Sequence, residues 1–125
     1  MSQTDLRFAK THEWVRVEGN EAVVGLSDYA QGELGDIVFV ELPDVGLTVS
    51  KGDSVTTVES VKSVSEVYAP VTGTVSAVND ALDAEPGKIN SDAQGEGWIM
   101  KVEFSSPAEL DDLMSSSEYE EFTKG

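Results

Sequence analysis

The chain has 125 residues, of which 39% are apolar, enough for one modest core and too many for a disordered chain. Its 24 acidic and 8 basic residues give a net charge of −16, so neither nucleic acid nor an anionic membrane is an expected partner. The absence of cysteine excludes disulfides and thiolate metal sites, and no apolar run approaches the roughly 20 residues that span a bilayer. Residues 1–5 lack the basic and apolar regions of a secretion signal, so we expect a soluble, cytoplasmic protein.

The acidity itself has two interpretations. It can serve solubility and docking to partners that carry basic patches. It can also reflect adaptation to high salt, because self-repulsion destabilises a compact state unless salt screens it, and the Debye length is only about 3 Å at 1 M salt. The sequence leaves both interpretations open.

Short apolar segments separated by turn-forming residues dominate the chain up to about residue 104. Strands are predicted at residues 14–17, 21–26, 37–42, 54–59, 64–69, 73–78 and 98–104. Between the second and third of them, Ser27 can cap a short internal helix that Gly35 can end. Many short strands at close and fairly even spacing favour a barrel or a sandwich.

The tail of the chain has the pattern of helices. Ser106 and Glu109 form a capping-box pattern, with Pro107 at the first helical position. An apolar stripe and a weaker capping box follow, at Leu110, Leu113 and Met114 and at residues 117–120. The sequence therefore predicts a single domain over residues 1–125, mainly β, with a helical extension from about residue 106.

One lysine has an unusual setting. Lys62 is the only basic residue between Lys51 and Lys88, and it lies between two predicted strands. Its neighbours Ser60 and Ser63 are small and suit a tight turn, which would present the lysine to a modifying enzyme. Exposure is also the ordinary state of a lysine. The local pattern alone is therefore compatible with both a modified lysine and a solvated one.

The surroundings of this lysine resemble the lipoylation site of the glycine cleavage system H-protein family, in the segment Glu59-Ser60-Val61-Lys62-Ser63. Further segments resemble the same family in the same order: Thr11-His12-Glu13-Trp14, Asp28-Tyr29-Ala30-Gln31, Leu34-Gly35-Asp36-Ile37-Val38 and Gly95-Glu96-Gly97-Trp98. The likeness extends from about residue 8 to residue 122. It implies a barrel-sandwich hybrid fold of the lipoyl- and biotinyl-carrier type, with lipoate attached covalently to Lys62.

The resemblance also implies a function and a set of partners. Members of this family are carriers and not enzymes. Their lipoyl arm receives an aminomethyl group from glycine decarboxylase (the P-protein) and passes its carbon to an aminomethyltransferase (the T-protein). Dihydrolipoamide dehydrogenase (the L-protein) then reoxidises the arm. These three enzymes and a lipoylating enzyme are the implied partners of this chain, which we expect to be a monomer.

In this family the loaded arm folds onto a surface cleft, and four residues of this chain match the cleft positions. They are Thr11, His12, Glu13 and Glu66, of which the first and last are conservative replacements for Ser and Asp. Carboxylates suit a protonated amine, so Glu13 and Glu66 are the candidates to hold it. His12 is the only histidine and cannot supply a two-histidine zinc site, so no metal site is predicted.

Other functions remain as alternatives. A lipoyl domain of a 2-oxoacid dehydrogenase would have Asp at the position of Val61, and it would lack the N-terminal segment that contains Trp14. A biotin carrier would flank its lysine with Met, where this chain has valine and serine. An acid/base enzyme could use His12 and Glu13. A regulatory relative could instead donate its lipoyl group to other proteins.

Overall fold

The computed structural model describes residues 6–124. The described residues form ten strands, namely β1 (Arg7–Phe8), β2 (Glu13–Glu18), β3 (Glu21–Leu26), β4 (Ile37–Val40), β5 (Thr48–Val49), β6 (Ser54–Ser60), β7 (Val64–Tyr68), β8 (Gly73–Val78), β9 (Met100–Phe104) and β10 (Met114–Ser115). Residues 1–5, from which we expected no secretion signal, and Gly125 lie outside the described residues.

The strands form two antiparallel sheets. A seven-stranded sheet has the order β10-β1-β2-β3-β9-β8-β5, and a three-stranded sheet has the order β4-β6-β7. The helical segments are α1 (Asp28–Leu34), α2 (Ala81–Ala84), α3 (Lys88–Ser91), a 3-10 helix (Pro107–Asp112) and α4 (Ser116–Lys124). No helix within residues 6–124 is long and apolar enough to cross a membrane.

One hydrophobic core joins the two sheets. Val58 and Val67 of the three-stranded sheet are fully buried in the same cluster as Val24 and Val102 of the larger sheet. Each fully buried side chain of this kind contributes roughly 1.5–3 kcal/mol. A second cluster packs Tyr119 of α4 against the strands. The mainly β, sandwich-like fold predicted from the sequence is confirmed.

The internal helix also forms where the sequence predicts it. The Ser27 hydroxyl accepts a hydrogen bond from the Ala30 N–H, which caps α1. Gly35 ends the helix with a φ of 82°, a left-handed conformation that favours glycine. Both signals are local, because the residues that make them are neighbours along the helix.

The predicted capping boxes of the tail are wrong in detail. The Ser106 side chain makes no capping hydrogen bond, and the segment after it is a 3-10 helix. The Glu109 carboxylate instead accepts hydrogen bonds from the backbone and hydroxyl of Thr72, at 2.6 and 2.7 Å. The box that forms joins Ser115 and Glu118, each accepting from the backbone N–H of the other. A tertiary contact therefore displaces the first box, and the second begins two residues earlier than predicted.

Candidate functional site

The tip of the hairpin between β6 and β7 carries Lys62. The backbone N–H of Ser60 donates to the carbonyl of Ser63 at 2.8 Å, which closes the turn. The Ser60 hydroxyl accepts from the backbone N–H groups of Lys62 and Ser63 at 3.3 and 3.1 Å, and lies 3.1 Å from the Ser63 carbonyl. The lysine is thus held at the end of a turn whose backbone is fixed by a serine, which is the turn role predicted for these residues.

The loop between α1 and the neighbouring strand β4 supports the tip. The backbone N–H of Val61 donates to the carbonyl of Asp36 at 3.0 Å. Gly35 is so close that a Cβ added there would lie 3.8 Å from Cε of Lys62. The Lys62 side chain is exposed and forms no ion pair with any described residue. Its amine is therefore available for acylation while its backbone is anchored.

Asn90 on α3 fixes this supporting loop. Its amide Nδ2 donates to the carbonyl of Gly35 and to Oε1 of Gln31, both at 2.9 Å. Its Oδ1 accepts from the backbone N–H of Ile37 at 2.8 Å. The sequence analysis did not identify Asn90, and no local pattern marks it, since its partners are more than 50 residues away along the chain.

Glu13 is fully buried at the start of β2. Its Oε1 accepts a short hydrogen bond from the Thr11 hydroxyl, and its Oε2 accepts from the backbone N–H of Tyr68 at 3.0 Å. Burial raises the pKa of Glu13 from 4.5 to about 7, although both hydrogen bonds act in the opposite direction. The carboxyl group therefore changes charge near neutral pH.

A surface groove of about 240 Å³ opens beside the hairpin tip. It is lined by Thr11, His12, Leu26, Tyr29, Ala30, Glu33, Leu34 and Ser65. Leu34 directly precedes Gly35, which lies near the lysine, and Ser65 lies three residues beyond that lysine on β7. A second depression of about 390 Å³ shares Thr11 with the groove and is lined also by Ala9, Lys51, Gly52, Tyr68, Ala69, Pro70 and Leu113.

The four predicted cleft residues divide into two groups. Thr11 and His12 line the groove, and Glu13 lies beneath them with its carboxyl group on the Thr11 hydroxyl. Glu66 is exposed on β7 opposite Thr57 and lines neither depression. The structure therefore brings three of the candidates together and leaves Glu66 outside the groove.

His12 has an unusual backbone conformation, and its side chain contacts the C-terminal helix. Its φ of 78° is in the left-handed region, which few residues other than glycine adopt. Its Nδ1 lies 2.6 Å from the Tyr119 hydroxyl, which in turn lies 2.6 Å from the hydroxyl of Ser27. Burial lowers the pKa of His12, partly opposed by the Glu33 carboxylate, and so favours the neutral form of the ring. The sequence analysis predicted helices in the tail but did not identify this contact of Tyr119.

No group of three or more His, Asp or Glu side chains within residues 6–124 is arranged to hold a metal ion. The site is therefore described by three features: an anchored and exposed lysine, an adjacent groove, and a buried carboxyl group beneath that groove.

Comparison with known proteins places these features in a family. The family model described as glycine cleavage H-protein matches residues 6–125. Glycine cleavage system H proteins of Xanthobacter autotrophicus and Thermotoga maritima are 55% and 49% identical, over 95% and 93% of this chain and 95% and 94% of their own length. A probable H protein of Haloarcula marismortui is 54% identical over 92% of this chain and 91% of its own. The crystal structure of a glycine cleavage system H protein from Mycobacterium marinum superposes with a TM-score of 0.89 at 36% identity, covering 98% of both chains. The chain belongs to the glycine cleavage H-protein family, whose members are lipoyl carriers.

Proposed function

We propose that this chain carries lipoate on Lys62 and shuttles the aminomethyl unit of glycine from glycine decarboxylase to an aminomethyltransferase. The observation that carries the proposal is the exposed Lys62 amine at the end of a hairpin whose backbone is fixed by Ser60 and Asp36. Acylation of that amine removes its charge and needs no rearrangement of the turn. The amide tether then raises the effective concentration of the arm at a docked enzyme.

The residues around the lysine fit a lipoyl group. The Lys62 side chain that would carry the lipoyl group leaves from the exposed hairpin tip, and the groove that contains Thr11 and His12 begins beside that tip. A bound lipoyl group supplies a disulfide that accepts both a carbon unit and electrons. The chain itself has no cysteine, so no protein thiol competes in disulfide exchange.

The buried acid gives the groove a means to hold a cation. A protonated amine near Glu13 would favour the carboxylate, because an opposite charge lowers the pKa that burial has raised to about 7. The Thr11 hydroxyl lies between that carboxyl group and the groove. Exclusion of water there would slow the loss of a labile amine. Glu66 stays a prediction of the sequence, since it lies outside the groove.

The test has two steps. The chain is first incubated with a lipoylating enzyme, and intact mass with peptide mapping locates the added lipoyl mass. It is then assayed for glycine–bicarbonate exchange with glycine decarboxylase. We expect modification and exchange in the wild type and in Lys10→Arg, a matched change at another exposed lysine, and neither in Lys62→Arg. Modification elsewhere, or exchange by Lys62→Arg, would contradict the proposal.

The remaining partners belong to the same proposal. Dihydrolipoamide dehydrogenase would reoxidise the arm with NAD⁺ as the electron acceptor, so reduction of added NAD⁺ to NADH by the reduced carrier and this enzyme tests that partner directly. The chain itself would act as the tethered substrate of each enzyme and catalyse nothing. The monomeric state and the cytoplasmic location stay predictions of the sequence.

A further inference from the structure

One side of the short helix α1 forms a wall of the groove. The helix contributes two pairs of residues at a spacing of four, which places their side chains on the same side of a helix: Tyr29 with Glu33, and Ala30 with Leu34. Among the residues that line the groove, Glu33 is the only one with a carboxylate, and none is a lysine or an arginine. The groove therefore has one negatively charged side chain on its wall.

The position of Glu33 does not favour the helix itself. Glu33 lies in the last turn of α1, where the free carbonyl groups of a helix disfavour a negative charge and favour a cation. That turn contains no basic residue, and Glu33 forms no ion pair within residues 6–124. The local structure thus gives this carboxylate no cationic partner and leaves it available to the groove.

The Glu33 carboxylate acts on the ring of His12, which lines the same groove. Burial lowers the pKa of His12, and the carboxylate acts in the opposite direction because it favours a positive charge on the ring. The Tyr119 hydroxyl lies 2.6 Å from Nδ1 and holds the ring in the wall. Since burial favours the neutral ring, the same carboxylate is free to attract another cation that enters the groove.

Glu13 and Glu33 differ in their exposure to water. Glu13 is fully buried beneath the groove and changes charge near neutral pH. Glu33 is exposed. A charge at the surface attracts a cation before that cation is bound, whereas a buried acid acts once the cation has arrived. The two acids are therefore suited to successive contacts with one cation.

We infer that Glu33 makes the groove selective for an arm that carries a protonated amine, because its carboxylate attracts the amine into the groove above Glu13. The inference rests on the proposed function, which supplies the amine. An arm that ends in a disulfide or a dithiol has no positive charge for the carboxylate to attract. Acylation also removes the charge of Lys62. The groove thus distinguishes the loaded arm from the empty arm by charge.

The first test uses the protein without lipoate, in which His12 is the only histidine and reports on the groove. Glu33→Gln should lower the pKa of His12, followed by NMR of the ring at low salt, because a neutral amide no longer favours the charged ring. Tyr29, Tyr119 and Glu13 are unchanged in this variant.

Two further variants make this measurement specific. Glu33→Asp keeps the charge and should stay close to the wild type. Glu41→Gln removes an exposed acid that does not line the groove, and it should leave the pKa of His12 unchanged. An unchanged pKa in Glu33→Gln, or an equal decrease in Glu41→Gln, would overturn the inference.

The second test follows the lipoylated carrier after glycine decarboxylase has loaded it and has been removed. Without the aminomethyltransferase, Glu33→Gln should shorten the lifetime of the loaded form roughly two- to fivefold, the range for an exposed charge, as measured by ammonia release. High salt should reduce the difference from the wild type, because salt screens an exposed charge, whereas a purely structural defect would persist.

The outcomes separate the inference from the function on which it rests. An equal lifetime in Glu33→Gln and the wild type, or a difference that salt does not reduce, would overturn the role of Glu33. Absence of glycine–bicarbonate exchange in the lipoylated wild type would instead refute the proposed function. The titration of His12 needs neither lipoate nor a partner enzyme, so it tests the carboxylate in either case.

Discussion

Oε2 of Glu13 accepts a hydrogen bond from the backbone N–H of Tyr68 at 3.0 Å, which joins the first long strand of the large sheet to an edge strand of the small one. The two residues are 55 positions apart in the chain. The carboxyl group that makes this contact is fully buried, and burial raises its pKa to about 7. The same acid thus joins the two sheets and titrates near neutral pH beneath the groove.

This raised pKa has a consequence for stability. The folded protein holds the Glu13 proton more tightly than the unfolded chain does. Glu13 therefore contributes fully to the free energy of unfolding below pH 4.5, and this contribution is lost as the pH rises through about 7. The shift from 4.5 to about 7 corresponds to a loss on the order of 3 kcal/mol. Glu13→Gln keeps a donor and an acceptor at the site but removes the titration.

We therefore expect the stability difference between pH 5 and pH 8 to be smaller in Glu13→Gln than in the wild type. Urea unfolding at the two pH values measures it. Glu120→Gln is the control, because it removes one exposed acid on α4 and so corrects for general charge repulsion. Equal pH dependence in all three proteins would show that Glu13 does not titrate in this range.

The groove predicts different effects for the two candidate acids. Glu13→Gln should hasten breakdown of the glycine-loaded carrier when the aminomethyltransferase is absent, since a neutral amide holds an ammonium group less well than a carboxylate. Glu66→Gln should have a smaller effect, because Glu66 lines no part of the groove. Ammonia release over time measures the lifetime, with Glu41→Gln as an exposed control. A lifetime in Glu13→Gln equal to that of the wild type would reject the role.

Local signals explain which parts of the fold the sequence could predict. Alternating apolar residues predicted the long strands, and the helix cap at Ser27 depends on an acceptor only three residues from its donor. The two-residue strands β1 and β10 could not be predicted, because Phe8 pairs with Met114 across almost the whole chain. Such short segments have no periodicity to detect.

The candidate site likewise has features that neighbouring residues predict and features that depend on distant residues. The lysine at the hairpin tip was predictable from its flanking serines and its likeness to a family segment. The burial of Glu13 was not, because it depends on Tyr68 in a distant strand. The support from Asn90 depends likewise on residues 53 to 59 positions away. Sequence neighbours carry no information about these contacts.

Asn90→Ala should loosen the loop that supports the hairpin tip. It removes three hydrogen bonds from a partly buried site, for which we expect a loss of about 1–3 kcal/mol in the free energy of unfolding. Lipoylation of Lys62, followed by intact mass, should also slow, because the loop carries the Asp36 carbonyl that binds the tip.

Two further variants make this prediction specific. Asn90→Asp keeps the acceptor for Ile37 and loses both donors, so its effect should be intermediate. Asn20→Ala removes an exposed amide that donates to Glu103 at 3.2 Å in the other sheet, and it should not change the lipoylation rate. A normal lipoylation rate in Asn90→Ala would show that the tip does not need this support.

The net charge of −16 gives the last prediction. We expect the melting temperature to fall when salt is lowered from 1 M to 0.01 M NaCl, where the Debye length grows from about 3 to about 30 Å and repulsion is no longer screened. Each kcal/mol lost should lower the melting temperature by roughly 4 °C.

Relatedness does not decide the matter, because the Haloarcula marismortui and Xanthobacter autotrophicus relatives are almost equally similar, at 54% and 55% identity. Neutralising three exposed acids, by Asp44→Asn, Asp111→Asn and Glu120→Gln, should reduce the salt dependence in proportion to the charge removed. A melting temperature that stays constant across the salt series would reject adaptation to high salt and leave solubility and docking as the reasons for the acidity.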